Sequence, residues 1–286
     1  MITIPGPNNL IDLHNHILPG IDDGAPGLEV SLAMARLAVA DGIRVMACTP
    51  HATPGVYHNT REGILAAVAE LQAHLDAEGI PLRLTFGADA QISPGLVEDL
   101  LFRRVPTLND TRYFLLEPLH HVALPTFTEA VLRYLEVRYV PLITHPERLT
   151  WIPKHYSSLR GLVEAGAWVQ VTAGSLTGQF GRGARYWGTR MLDEGLVHVI
   201  ASDAHSDKRR RPGLSEARAV AARYLGEMEA DLLVSGRPAA VLEDAHPDEV
   251  PPVPYLTRAG AENSIERSYW RLRGAAMGVL GHVSYH

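Results

Sequence analysis

Cysteine is almost missing from this 286-residue chain, where Cys48 stands alone. A single thiol cannot close an internal disulfide, which excludes a disulfide-stapled scaffold and fits a reducing cytoplasm. Lysine is nearly as scarce, with only Lys154 and Lys208. No apolar run approaches the roughly 18 residues that would cross a bilayer, and Met1–Asn9 lacks the basic start and apolar stretch of a signal peptide. Neither a leader nor membrane insertion is therefore expected. The formal net charge of −6 leaves no basic track for a nucleic acid. What the chain does have is 46% hydrophobic residues, ample for a core, and fourteen histidines.

One local unit recurs along the sequence: a helix-like stretch ends in Gly, then a short apolar run follows. It appears at Gly42, Gly79, Gly166 and Gly195. Gly just past a helix accepts the left-handed backbone there, and the apolar run behind it reads as a buried strand. Further strands are expected at Asn9–Leu13, Tyr113–Leu116 and Val140–Thr144. Between them lie helices, such as Leu28–Ala40. Asn59 with Glu62, and Thr126 with Glu129, have the spacing of capping boxes that open two more.

Seven strands alternating with helices predict an α/β fold built as a parallel barrel. A doubly wound open sheet is the competitor, but no Gly-rich phosphate loop follows any strand. The barrel should span residues 1–245. Beyond it, Pro247, Pro251, Pro252 and Pro254 make a stiff connector. Within the 246–286 tail, Ile265, Tyr269, Leu272, Ala276 and Val279 fall on one face of a short helix. Such a face docks either on its own barrel or on a neighbouring subunit, which leaves room for a homo-oligomer.

A barrel of this kind presents its active site at the C-terminal strand ends. The ionisable residues expected at those ends are His14, His16, His51, Asp89, Glu117, His145, Asp203 and His205. His14 and His16 share a strand face, as do Asp203 and His205. Asp23 joins them from the loop after the first strand. Imidazole and carboxylate without thiolate suit manganese, iron, cobalt or catalytic zinc, and nine donors suffice for three ions. Arg148 and Arg211 are the candidates for binding phosphate oxygens. His198 should face away from Asp203, and His120 and His121 lie in a loop close enough to meet a substrate. Cys48 has no arginine at the spacing a cysteine-based phosphatase needs and is expected to be buried wall.

These segments resemble the polymerase-and-histidinol-phosphatase (PHP) superfamily, and within it the bacterial manganese-dependent protein-tyrosine phosphatases of capsule and exopolysaccharide loci. The likeness runs from about Ile11 to Glu243. It is carried by Asp12-Leu13-His14-Asn15-His16 with Gly20-Ile21-Asp22-Asp23-Gly24, by Pro106-Thr107-Leu108-Asn109-Asp110 leading to Glu117, by His145-Pro146-Glu147-Arg148, and by Ser202-Asp203-Ala204-His205. The resemblance implies a distorted TIM-like (β/α)7 barrel, the PHP fold. It also implies a trinuclear manganese site and phosphotyrosine hydrolysis on a bacterial tyrosine autokinase.

By the same resemblance, His14, His16 and Asp203 would hold one ion and Glu117 and His145 a second. Asp23, His51 and His205 would hold the third. Asp89 would bridge the first two where the family usually has Glu. The implied chemistry is direct in-line attack on phosphorus by a metal-bound hydroxide, with the arginines gathering charge. Two alternatives are a small-molecule phosphatase of the same superfamily, such as one acting on histidinol phosphate, and a metal-holding regulatory module without turnover.

Overall fold

The computed structural model describes residues 9–258. Nine strand segments alternate with helices along these residues: β1 Leu10–Asn15, β2 Ile43–Cys48, β3 His51–Ala52, β4 Arg83–Phe86, β5 Asp89–Gln91, β6 Tyr113–Glu117, β7 Val140–Thr144, β8 Trp168–Thr172 and β9 Val199–Ala201. Every ladder is parallel. Connecting them are α1 Leu28–Asp41, α2 Arg61–Ala77, α3 Leu96–Leu101, α4 Phe127–Glu136, α5 Ile152–Glu164, α6 Ala173–Thr177, α7 Gly181–Asp193 and α8 Ser215–Leu225. Gly42, Gly79, Gly166 and Gly195 all adopt positive φ between a helix and the following strand, as the recurring unit requires.

The strands form two hydrogen-bonded sheets, in the orders β1-β2-β4 and β3-β5-β6-β7-β8-β9. They are offset pieces of one system. β3 resumes the line of β2 after Thr49-Pro50, and β5 resumes that of β4 after Gly87-Ala88. At this jog the chains pass so closely that a Cβ on Gly87 would sit 2.9 Å from Leu108 Cδ2 and 3.1 Å from Thr49 Cγ2. A larger residue there would have to displace the Leu108 and Thr49 side chains.

The expected closed barrel is not what these ladders make. β9 and β1 meet at one end alone, where the Asn15–Ala204 bridge is flanked by His16 N donating to Ala204 O at 2.8 Å and Asp203 N donating to His14 O at 2.8 Å. The architecture is a mixed α/β fold with parallel sheets. Its inner core stacks Tyr113, Leu115, Val140, Leu142, Trp168 and Val199, while the helices pack outside against a second apolar layer. Strand alternation carries the inner series on from Tyr113 and Leu115 to Glu117, and from Trp168 to Gln170. The core thus turns polar at the C-terminal strand ends.

Neither expected capping box forms. Thr60 caps α2, accepting from Gly63 N at 3.2 Å. Asn59 instead donates to Ile21 O at 3.1 Å and His51 O at 2.9 Å, tying two loops together. Thr126 makes no side-chain cap bond. After α8 the chain continues through α9 Glu227–Asp231, a wide turn at Leu232–Gly236 and α10 Arg237–Leu242. Arg237 is fully buried and donates to Pro251 O and Pro252 O, fastening the proline-rich segment to the body. The apolar face expected at Ile265–Val279 lies outside the described residues.

Candidate metal centre

All nine sequence-predicted donors meet at the C-terminal strand ends. β1 supplies His14, the residue just after its end His16, the loop behind it Asp23, β3 His51, β5 Asp89 and β6 Glu117. His145 follows β7, and Asp203 and His205 follow β9. His145 and Asp203 both take left-handed backbone angles, with φ of 36° and 50°. Positive φ at a non-glycine residue is held only where surrounding structure over-determines it, and functional strand ends are where it collects.

Ligand atoms fall into three overlapping groups: His16, Asp23, His51 and His205; His14, His16 and Asp89; and His51, Asp89 and Glu117. Asp203 adds to them, its Oδ1 lying 3.5 Å from the Nε2 atoms of both His14 and His16 and 3.6 Å from His205 Nδ1. The His145 ring stands 5.8 Å from that of His14. The groups overlap: His16 also reaches the Asp23–His51–His205 set, and His51 stands beside Glu117.

Side chains behind the donors fix their orientation. Gln170 Oε1 lies 2.9 Å from His14 Nδ1, and Asp22 Oδ2 lies 2.7 Å from His16 Nδ1. Asp22 also accepts from His51 N at 3.1 Å and Gly24 N at 2.9 Å. A Cβ on Gly24 would collide with His16 backbone and Cβ, so the Asp22-Asp23-Gly24 loop can lie flat on His16 only because Gly is there. Asp12, fully buried, does not enter the cluster. It takes Ser202 N at 2.9 Å and Ser202 Oγ at 2.5 Å, stitching β1 to β9.

The electrostatics are those of a cation site. Asp89 is fully buried, yet neither of its carboxylate oxygens accepts a hydrogen bond. Burial alone would raise its pKa, but His14 and His51, each 3.4 Å away, hold it below the usual carboxylate range. Burial also opposes charge on His14, but Asp89 and Asp203 outweigh it and lift that ring to about 9. Glu117 is raised by burial and by the nearby charge of Asp89. Uncompensated buried charges cost several kcal/mol each. Divalent cations held among these donors would remove that cost, and the imidazole-carboxylate set fits manganese, iron, cobalt or zinc.

Two guanidinium groups close the site. Arg148 and Arg210 both end on Asp203 Oδ2, Arg210 at 2.5 Å. Arg211, the sequence candidate, is exposed and lines a separate cavity with Asp41, Gly174 and Glu216.

A family profile described as capsular polysaccharide synthesis, CpsB/CapC, matches residues 10–243. The chain belongs to the CpsB/CapC family. It is 41% identical over 219 residues to the tyrosine-protein phosphatase YwqE of Bacillus subtilis, covering 76% of this chain and 85% of that one. It is 32% identical over 199 residues to the putative tyrosine-protein phosphatase CapC of Staphylococcus aureus, covering 69% and 77%. Among solved structures it matches a chain from the crystal structures of YwqE from Bacillus subtilis and CpsB from Streptococcus pneumoniae, metal-dependent tyrosine phosphatases. That match has a TM-score of 0.79 at 36% identity and covers 83% of this chain and 96% of the other.

Three residues of this CpsB/CapC site escape a reading of sequence alone. Asp22 sits beside Asp23, and spacing cannot say which of the two carboxylates faces the cluster and which braces it. Gln170 lies inside an apolar strand with no motif around it. Arg210 is hidden in the run Lys208–Arg211, where only the loop's path separates it from Arg211. His198, expected on the face away from Asp203, is core, stacked on Trp168 and accepting from Val169 N at 3.1 Å. His120 lies at the edge, 6.2 Å from the His145 ring. Cys48 is buried, and burial pushes its thiol up, away from the thiolate a nucleophile needs.

Proposed function

We propose that this chain is a metal-dependent protein-tyrosine phosphatase acting on phosphotyrosine of a protein, a bacterial tyrosine autokinase of polysaccharide synthesis in the cytoplasm. The observation that carries the reading is Asp89. It is a fully buried carboxylate with both oxygens unbonded, set between His14, His51 and Glu117, and two guanidinium groups end a few ångströms beyond, on Asp203. Cations held by these donors, together with the two arginines, would suit a phosphate monoester dianion. The tyrosine phosphatase names of the relatives support the same chemistry.

The donors present would hold three divalent cations, with manganese the first choice and iron, cobalt or zinc as substitutes. Asp89 belongs to two of the ligand groups, which supports a bridging place for it despite its being one methylene shorter than Glu. Metal ions bound here would supply a water activated for attack on phosphorus. Arg148 and Arg210 would take the phosphate oxygens bidentately. The phenolate leaving group has a parent pKa near 10, so it needs less proton assistance than an alkoxide. Gln170 and Asp22 keep the His14 and His16 rings turned toward the centre. The two sheets then work as one distorted, incompletely closed (β/α)7 barrel of the PHP type.

Phosphate release from a phosphotyrosine peptide and from histidinol phosphate, by the manganese-loaded protein, tests the reading. Turnover of the peptide at least tenfold faster is the expected result. The opposite order would make the chain a small-molecule phosphatase, and release from neither with metal bound would make it a regulatory module.

A further inference from the structure

One aromatic side chain touches both arginines. The Phe180 ring, between α6 and α7, has the Arg148 guanidinium carbon 4.3 Å from its centroid and that of Arg210 at 5.6 Å. Both distances lie within the range, up to about 6 Å, over which a ring face attracts a cation. Two guanidinium groups this close repel each other, and here two partners offset that repulsion. One is Asp203, whose carboxylate is committed elsewhere once a cation is bound. The other is the Phe180 ring, which no metal draws away.

The turn carrying Phe180 is itself built for the task. A Cβ on Gly174 would stand 2.8 Å from Phe180 Cε2 and would also strike Gln179, so the bare backbone at 174 is what seats the ring. Gln179 N donates to Gly174 O at 2.7 Å, and the Gln179 side chain donates to Arg209 O, next to Arg210. On the other side, Glu147, next to Arg148, accepts from Thr172 N at 3.0 Å and Ser175 Oγ at 2.7 Å. The segment from Thr172 to Phe180 therefore grips the neighbours of both arginines and places one ring against the pair.

We infer that Phe180 is a positioning residue that holds Arg148 and Arg210 together as a two-pronged clamp for phosphate, an inference that rests on the phosphatase reading above. The ring face, rather than apolar bulk, is the working feature. Phe180→Leu keeps most of the volume without the π face, and Phe180→Tyr keeps the face.

The test is calorimetric binding of inorganic phosphate to the manganese-loaded protein, with KM and kcat for p-nitrophenyl phosphate measured alongside. Phe180→Leu should weaken phosphate binding and raise KM about tenfold, with a much smaller fall in kcat. Phe180→Tyr should stay within about twofold of wild type. Wild-type affinity in Phe180→Leu, equal losses in both variants, or no phosphate binding by the wild type would overturn the inference. If the wild type binds phosphate without turnover and Phe180→Leu binds it more weakly, the phosphatase reading fails while the clamp stands. Normal turnover with phosphate affinity unchanged across the variants removes the clamp alone.

Discussion

His14 Nε2 and His16 Nε2 face each other across 3.3 Å at the centre of the cluster. The far nitrogen of each ring meets an acceptor, Gln170 Oε1 for His14 and Asp22 Oδ2 for His16. An acceptor at Nδ1 favours the proton there, so with metal bound both Nε2 atoms would turn lone pairs toward the same small space. A divalent cation there, beside the unbonded Asp89 carboxylate, would take the place of the protons that Asp89 and Asp203 otherwise favour on His14.

Asp22 should therefore act through His16 without touching the metal. Asp22→Ala is expected to weaken manganese binding by roughly ten- to a hundredfold, the usual penalty for losing a ligand's hydrogen-bond partner. Manganese titration by calorimetry checks it, and wild-type affinity would reject the role.

Removing a direct ligand should cost more. His14→Ala is expected to lose over about a hundredfold in turnover of phosphotyrosine peptide, together with bound metal measured by elemental analysis. Full activity in that variant would remove His14 from the ligand set.

Two neighbouring arginines should behave differently. Arg210 reaches Asp203 and Phe180, whereas Arg211 is exposed. Arg210→Ala is expected to lower kcat/KM by at least about tenfold. Arg211→Ala should change it by less than about threefold. Steady-state kinetics on both variants separates the two positions, and the reverse ranking would return the role to Arg211.

His198 sets a pH dependence away from the metal. Burial, with Arg237 adding to it, holds this ring well below its ordinary value of 6.5, so it is neutral when folded. The unfolded chain takes up a proton as pH falls through about 6.5 while the folded one does not, so stability is present above that pH and declines below it. The slope from this group approaches about 1.4 kcal/mol per pH unit in that window. His198→Asn offers Val169 N an acceptor without the titration. Thermal unfolding between pH 7.5 and 5.5 should fall less in that variant than in wild type, and parallel curves would exclude the contribution.

Strand ends were legible because local chemistry dictates them. Gly42, Gly79, Gly166 and Gly195 announce four of the helix-to-strand passages, and the alternation that puts Tyr113 and Leu115 in the core puts Glu117 at its polar rim. Barrel closure was not legible, because it depends on register and on the jogs at Pro50 and Gly87, neither of which leaves a periodic signal. Asn59 has a cap's spacing but spends its amide on Ile21 and His51, a contact set by loops meeting in space. Gln170 and Phe180 are similar cases. Each matters for what it faces across the fold, and residues next to them in sequence carry no trace of that.

The most direct test of the account is to strip the protein with a chelator and follow phosphotyrosine peptide hydrolysis as manganese is returned. Activity should be absent from the stripped protein and reappear in step with manganese bound at the His14–Asp89–Asp203 cluster, with no recovery in His14→Ala. Hydrolysis at the full rate in metal-free protein, or manganese bound to wild type with no hydrolysis, would contradict it.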